Sequence, residues 1–196
     1  MKRLPIVRLQ VQTDRIKVGV APLRRYDPAV LESVPRLEIS PSGVVGLGRH
    51  GRRLLDVHHR DHPHTRDPRG RAGLSVLGTG DYAALRARYG PHLTEGIAGE
   101  GVLLDAPAGL AGRLDGTRWV LHTAAGPIEV GETGVAEPCV EFTRFCLRLP
   151  PSPDVGPDVR EHLERLDHGA RGYKGVAAGS GILAVGDLVE IQSAGD

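Results

Sequence analysis

Gly181-Ile-Leu-Ala-Val-Gly-Asp187-Leu-Val-Glu-Ile191 is a turn feeding a final strand, in which Leu188 shares one face with Glu190 and Val189 the other with Ile191. A terminal strand of this kind pairs readily with an early one, and closing a sheet on itself removes its exposed edges. The early partner is present: Val7-Arg-Leu9-Gln-Val11 alternates apolar and polar residues at the strand period, and Arg36-Leu-Glu-Ile39 repeats the pattern. Between them, Pro22 to Pro35 reads as a surface connection with a turn of helix.

Outward from these two ends, the chain is a succession of short apolar segments separated by glycine and proline. Strands are expected at Val44–Leu47, Arg53–Val57, Leu74–Leu77, Val102–Leu104, Trp119–Thr123, Pro127–Val130, Gly172–Ala177 and Leu188–Gln192. A helix is expected from Thr79, as N-cap, with Asp81 in its first turn and Gly90-Pro91 as its stop; Tyr82, Leu85 and Tyr89 share one face. A second covers Val140–Arg148. A third covers Pro157–His168, with Val159, Leu163 and Leu166 as an apolar stripe, Glu161 four residues before Arg165, and Gly169 closing it. The fold class that follows is mainly β with inserted helices, a distorted antiparallel β-barrel. Residues 1–38 form an N-terminal strand and connection packed on the barrel, and 39–196 form the barrel domain.

Composition narrows the function classes. The chain has 196 residues, enough to bury about two-thirds of its unfolded surface without staples. Lys and Arg number 25 against 24 Asp and Glu, so no global field draws the protein to nucleic acid or a membrane surface, and any affinity for an anion is local. No apolar run approaches the ~20 residues of a membrane-spanning helix. Cys139 and Cys146 are read as free thiols, and a cytoplasmic location is expected.

Three segments carry candidate chemistry. Gly131-Glu-Thr-Gly-Val-Ala-Glu-Pro-Cys139 places a cysteine just before a helix, where the dipole favours a thiolate; the alternative is an inert buried cysteine. Cys146, between Phe145 and Leu147, belongs to the core. His58-His-Arg60-Asp-His62-Pro-His64, with Arg66, Arg69 and Arg71 following, is open to three readings: a Zn or Fe site supporting a metal-dependent hydrolase, an anion site, or a polar surface loop. The guanidinium density favours the anion. Gly169-Ala-Arg171-Gly-Tyr-Lys174-Gly175 offers two cations among exposed backbone N–H groups, and Glu100 in Gly99-Glu100-Gly101 either orients a partner or caps a turn.

In their order and separation, Ser40-Pro-Ser-Gly-Val-Val-Gly-Leu47, Gly99-Glu100-Gly101-Val-Leu-Leu104, Pro138-Cys139, the 169–175 segment and Gly181–Asp187 resemble a MOSC domain, the module named after the C-terminal part of molybdenum cofactor sulfurases. The likeness runs from about Ile39 to Ile191. It implies a β-barrel with one functional cysteine, here Cys139, that relays sulfur as a persulfide or ligates molybdenum held by a pterin. It further implies cofactor contacts from Arg60, Arg171, Lys174 and Glu100, with the three cations forming an anion site close to Cys139. The cofactor that the resemblance implies is molybdopterin, and some relatives are oxidoreductases that reduce N-hydroxylated compounds. In the sulfurases the module is fused to a pyridoxal-phosphate domain that has no counterpart here, so the implied partners are a separate sulfur donor or a redox protein. Family members often have Gly-Glu-Asn-Leu where this chain has Gly99-Glu100-Gly101-Val102, and the His58–Arg71 loop stands, in a different arrangement, where many have a Gly-Asp-Arg-His and a His-Gly-Gly-Pro-Asp segment. The alternative is a non-catalytic module that binds a small molecule or anion on the same barrel.

Overall fold

The computed structural model describes residues 2–65, 67–70 and 73–192; Arg66 and Arg71 of the loop lie outside them. The strands are β1 (Lys2–Gln12), β2 (Lys17–Val18), β3 (Arg25–Tyr26), β4 (Leu31–Val34), β5 (Arg36–Ser40), β6 (Gly43–Leu47), β7 (Arg53–Leu55) and β8 (Leu74–Gly78). After helix α1 (Thr79–Tyr89) come β9 (Val102–Leu104), β10 (Arg118–Thr123) and β11 (Gly126–Val135). Helices α2 (Val140–Leu147) and α3 (Pro157–Leu166) precede β12 (Tyr173–Ala177), β13 (Gly181–Ala184) and β14 (Leu188–Gln192).

Seven strands close a mixed barrel in the order β14-β10-β11-β12-β8-β9-β1, and β1 pairs back onto β14 from Lys2↔Ile191 to Pro5↔Leu188. The terminal strand thus meets the early one as its alternation requires. All barrel pairings are antiparallel except β8 with β9, which the α1 crossover makes parallel. A second sheet, β13-β5-β6-β7, packs over one side, where Gly46 sits against Val11 and Val34. Trp119, Leu121, Val130, Tyr173 and Val189 fill the barrel with Leu4, Ile6, Leu9 and Val11.

Leu4 and Ile6 point inward at even positions and Leu9 and Val11 at odd ones, so the parity changes within one strand. Against β9 the register jumps between Ile6 and Arg8, and the extra residue, Val7, is left 43% exposed. A one-residue bulge reverses every side chain beyond it. Val7 therefore does not share the inner face of Leu9 and Val11 that simple alternation gives it.

Three further expectations are corrected. The 22–35 connection contains β3, a single 3-10 turn over Pro28–Val30, and β4, which pairs with Leu9–Gln12 of β1. Gly181–Ala184 is strand β13 on β5, not a turn. The N-cap of α1 is Gly78 rather than Thr79, because the Asp81 carboxylate already accepts from Gly78 N–H at 2.9 Å and from Leu110 N–H at 2.9 Å. Thr79 Oγ1 accepts instead from Ala106 N–H at 3.1 Å.

The expected helices over 79–89, 140–148 and 157–168 are present within a residue or two of their ends. Gly169, at φ +84, closes the turn after α3 against the Tyr173 ring, where any Cβ would overlap the phenol. Among the described residues, no helix is long and apolar enough to cross a membrane.

Candidate functional site: a basic cleft beside Cys139

At one end of the barrel, a cleft of about 480 Å³ lies between the end of β1, the turn after β7, the Ala98–Glu100 turn and the strand ends of β11 and β12. Arg15, Lys17, Arg171 and Lys174 line it together with Asp67, Glu100, Glu137 and His58. β11 delivers the chain to this place by a register shift between Gly131 and Gly134, after which Ala136 N–H donates to Gly172 O at 2.9 Å. Three residues later Cys139 is the N-cap of α2, half-buried, with extended backbone and no capping hydrogen bond to its side chain.

Arg171 organises the junction. Its Nη1 donates to Glu137 O at 3.0 Å, its Nη2 reaches Ala98 O at 3.4 Å, and its guanidinium stacks 5.0 Å from the Phe142 ring centroid. Its Nε is buried without a partner. Lys17 pairs with Glu141 at 3.1 Å. Glu141 is held below the ordinary carboxylate range: burial opposes this, but its own backbone N–H, Lys17 and the nearby Cys139 thiol outweigh it. Lys174 makes no ion pair among the described residues, which leaves it available to a ligand.

The cleft floor carries a buried acid. Glu100 is 4% exposed; its Oε2 accepts from Tyr82 Oη at 2.7 Å, and its Oε1 is buried with no partner. Desolvation, only partly offset by that hydrogen bond, pushes the carboxyl up to about 7. Across from it, Asp56 Oδ1 lies 3.0 Å from His58 Nδ1 and Oδ2 accepts from Gln12 N–H at 2.7 Å. This contact orients the imidazole with Nδ1 toward the acid. Gln12, Ser75, His58 and Glu100 also surround a small polar cavity behind the cleft.

The site residues expected from sequence are therefore divided. Arg171, Lys174 and Glu100 share the cleft; Cys139, two residues beyond the lining residue Glu137, does not line it and packs against the cluster that holds Tyr26 and Phe142; Arg60 is exposed on the 58–65 turn near Gly70 and does not line the cleft. The turn that carries Arg60 is tied to the 40–43 hairpin, where Arg60 N–H donates to Ser42 O at 2.8 Å. The other histidines are spent on separate partners. His62 Nε2 lies 3.2 Å from Thr13 O, His64 Nδ1 2.8 Å from Asp14 Oδ1, and His59 Nδ1 accepts from Asp61 N–H. Among the described residues, no three His, Cys, Asp or Glu side chains converge on a common point. Sequence reasoning missed Lys17, Tyr82 and Asp56. Asp56-x-His58 was the readable signal, since an Asp commonly captures a backbone N–H two residues on; Lys17 and Tyr82 carry none.

Solved structures with this architecture exist at low sequence identity. YuaD from Bacillus subtilis superposes with a TM-score of 0.56 and 12% identity, covering 98% of this chain and 97% of that one. YiiM from Escherichia coli, a MOSC-domain protein, superposes with a TM-score of 0.52 and 14% identity over 98% and 71% of the two chains. A third structure, of a hypothetical protein, gives 0.56 and 12% over 100% and 70%. No protein-family model matches the chain, and no protein of curated function matches it in sequence. The chain shares the barrel fold of these structures.

Proposed function

We propose that the cleft binds a phosphorylated pterin of the molybdenum cofactor type and that Cys139 is the residue that carries sulfur or ligates the metal. The observation behind this reading is that Lys17, Arg171 and Lys174 collect in a basic cleft next to a half-buried thiol at a helix N-terminus, in a chain that is almost neutral overall. The donor set fits such a group: the protein offers one thiol and a set of cations, which suits a metal that arrives with ligands of its own. When bound, molybdopterin would supply two-electron redox chemistry at its metal.

The chain's own residues have distinct tasks. Lys174 and Arg15 neutralise the phosphate, and Arg171, locked by Glu137 O and Ala98 O, ties the cleft to the segment that positions Cys139. Glu100 and His58 give or take a proton at the floor. The reaction is sulfur carriage, fed by a separate desulfurase, or reduction of an N-hydroxylated compound, fed by a redox protein.

Protein purified from a host that makes the cofactor is expected to retain molybdenum and a fluorescent pterin. Cys139→Ser should lose persulfide or molybdenum while keeping pterin, and Lys174→Ala should lose both. Absence of pterin from wild-type protein would leave the second reading, a binding module for small anions without thiol chemistry. That reading draws on the packing of Cys139 against Tyr26 and Phe142 rather than in the cleft wall.

A further inference from the structure

The far end of α2 builds a second groove, of about 360 Å³, against the β2–β3 hairpin. Its floor is apolar: the Phe145 ring lies 5.2 Å from Tyr26 and 5.7 Å from His92, and Leu149 and Pro151 continue the surface. Its rim is cationic. Arg24 is partly buried and makes no hydrogen bond or ion pair with any described residue. Arg148 is exposed and directs Nε and Nη2 onto His92 Nδ1 at 3.2 and 3.1 Å, which requires that nitrogen of the imidazole to be unprotonated.

Arg144, 8% exposed, spends Nη1 on Pro150 O at 3.0 Å and Nη2 on Asp154 O, and its Nε is buried without a partner. The one carboxylate lining the groove, among the described residues, is Glu141, and Lys17 holds it. Among the described residues, Arg25 is the one rim cation with an acid of its own, Asp27 at 3.2 Å. An apolar floor alone would take any greasy molecule. The floor and the surplus of guanidinium groups together select a molecule with both an apolar body and an anionic head.

We infer that this groove is a second binding site, distinct from the cleft beside Cys139, for a small organic carboxylate with an aromatic or acyl body. The apolar body lies on Phe145 and Tyr26, and the carboxylate meets Arg24 and Arg148.

Calorimetric titration with 2-naphthoate and its neutral isostere 2-naphthamide tests this. Naphthoate is expected to bind once per chain and naphthamide about tenfold more weakly or worse, because the charge-assisted contacts are lost. Arg24→Glu with Arg148→Glu should weaken naphthoate by about tenfold or more. Arg24→Gln, which breaks no contact of the fold, should weaken it in the same direction should the double variant unfold. Lys174→Glu, in the other cleft, should leave naphthoate binding unchanged. Equal affinity for the amide, undiminished binding in the Arg24 variants, loss of binding in Lys174→Glu, or binding only of an acidic polypeptide such as poly-glutamate would each overturn the inference.

Discussion

The Tyr82 hydroxyl donates to Glu100 Oε2 at 2.7 Å and accepts from Ala98 N–H at 3.0 Å, so one phenol on α1 clamps both ends of the turn that floors the cleft. Burial also raises the Tyr82 phenol well above its ordinary value, which keeps it a donor at any working pH. The carboxyl group it holds is left with one buried oxygen that has no hydrogen-bond partner.

That arrangement makes stability depend on pH. Glu100 titrates near 7 in the folded chain against an ordinary 4.5, so the native state binds its proton more tightly than the unfolded one. The resulting stabilisation is complete below about 4.5 and is lost as pH rises to about 7, a change on the order of 3 kcal/mol. Urea unfolding of wild type and Glu100→Gln across this window should show wild type losing ground to the variant as pH rises. Parallel curves would mean that Glu100 is not desolvated.

Glu190 has the opposite sign. Gln192, then Arg3 at 2.8 Å and His122 at 3.1 Å, hold its carboxylate down to about 2, linking β14 to β1 and β10 across the barrel closure. Its contribution is present above about 4.5 and disappears as pH falls toward 2. Glu190→Gln should be less stable than wild type at neutral pH, and the difference should shrink on acidification. A difference that grew in acid would contradict the assignment.

Cys139 and Cys146 should react very differently. Cys146 is 1% exposed and burial pushes its thiol up to about 12, whereas Cys139 is half-buried at the start of α2. Alkylation of the native protein near pH 8, read by mass spectrometry, should label Cys139 alone, and denaturant should release Cys146. Simultaneous labelling without denaturant would refute this ordering.

Gly80→Ala should destabilise the protein by about 1–3 kcal/mol although Ala is the better helix former. A Cβ at this position would overlap Gly109 N and Pro107 O, backbone atoms of the turn pinned by Asp81. Thermal melts of this variant beside Gly134→Ala, whose Cβ would meet nothing within 4 Å, provide the comparison. An unchanged melting point in Gly80→Ala would show that the 107–109 turn yields easily.

The alternation of Leu188–Ile191 and the glycine punctuation were enough to read a closed barrel, because the period of two and the turn residues are local properties of the chain. The helix over 157–168 was equally legible from its apolar stripe and its Glu161–Arg165 pair, which meets at 2.6 Å. β4 and β13 were not legible. Leu31-Glu-Ser-Val34 and Gly181-Ile-Leu-Ala184 are four-residue segments that become strands only because β1 and β5 present free edges to them.

The site divides along the same line. The sequence by itself determined the candidate thiol, the cations at 171 and 174 and the acid at 100, since each sits in a short glycine- or proline-marked segment whose chemistry is carried by its own residues. Only the tertiary structure decided which of them meet. It joined Glu100, Arg171 and Lys174 with Lys17 and the Asp56–His58 pair, and it left Arg60 and Cys139 outside the lining. The residues it joined lie as far as 157 positions apart, as Lys17 and Lys174 do, and their meeting depends on the bulges in β1 and β11 that set where each strand end points. No local pattern encodes that geometry, because a bulge is set by which strand lies alongside, not by the residues of one strand alone.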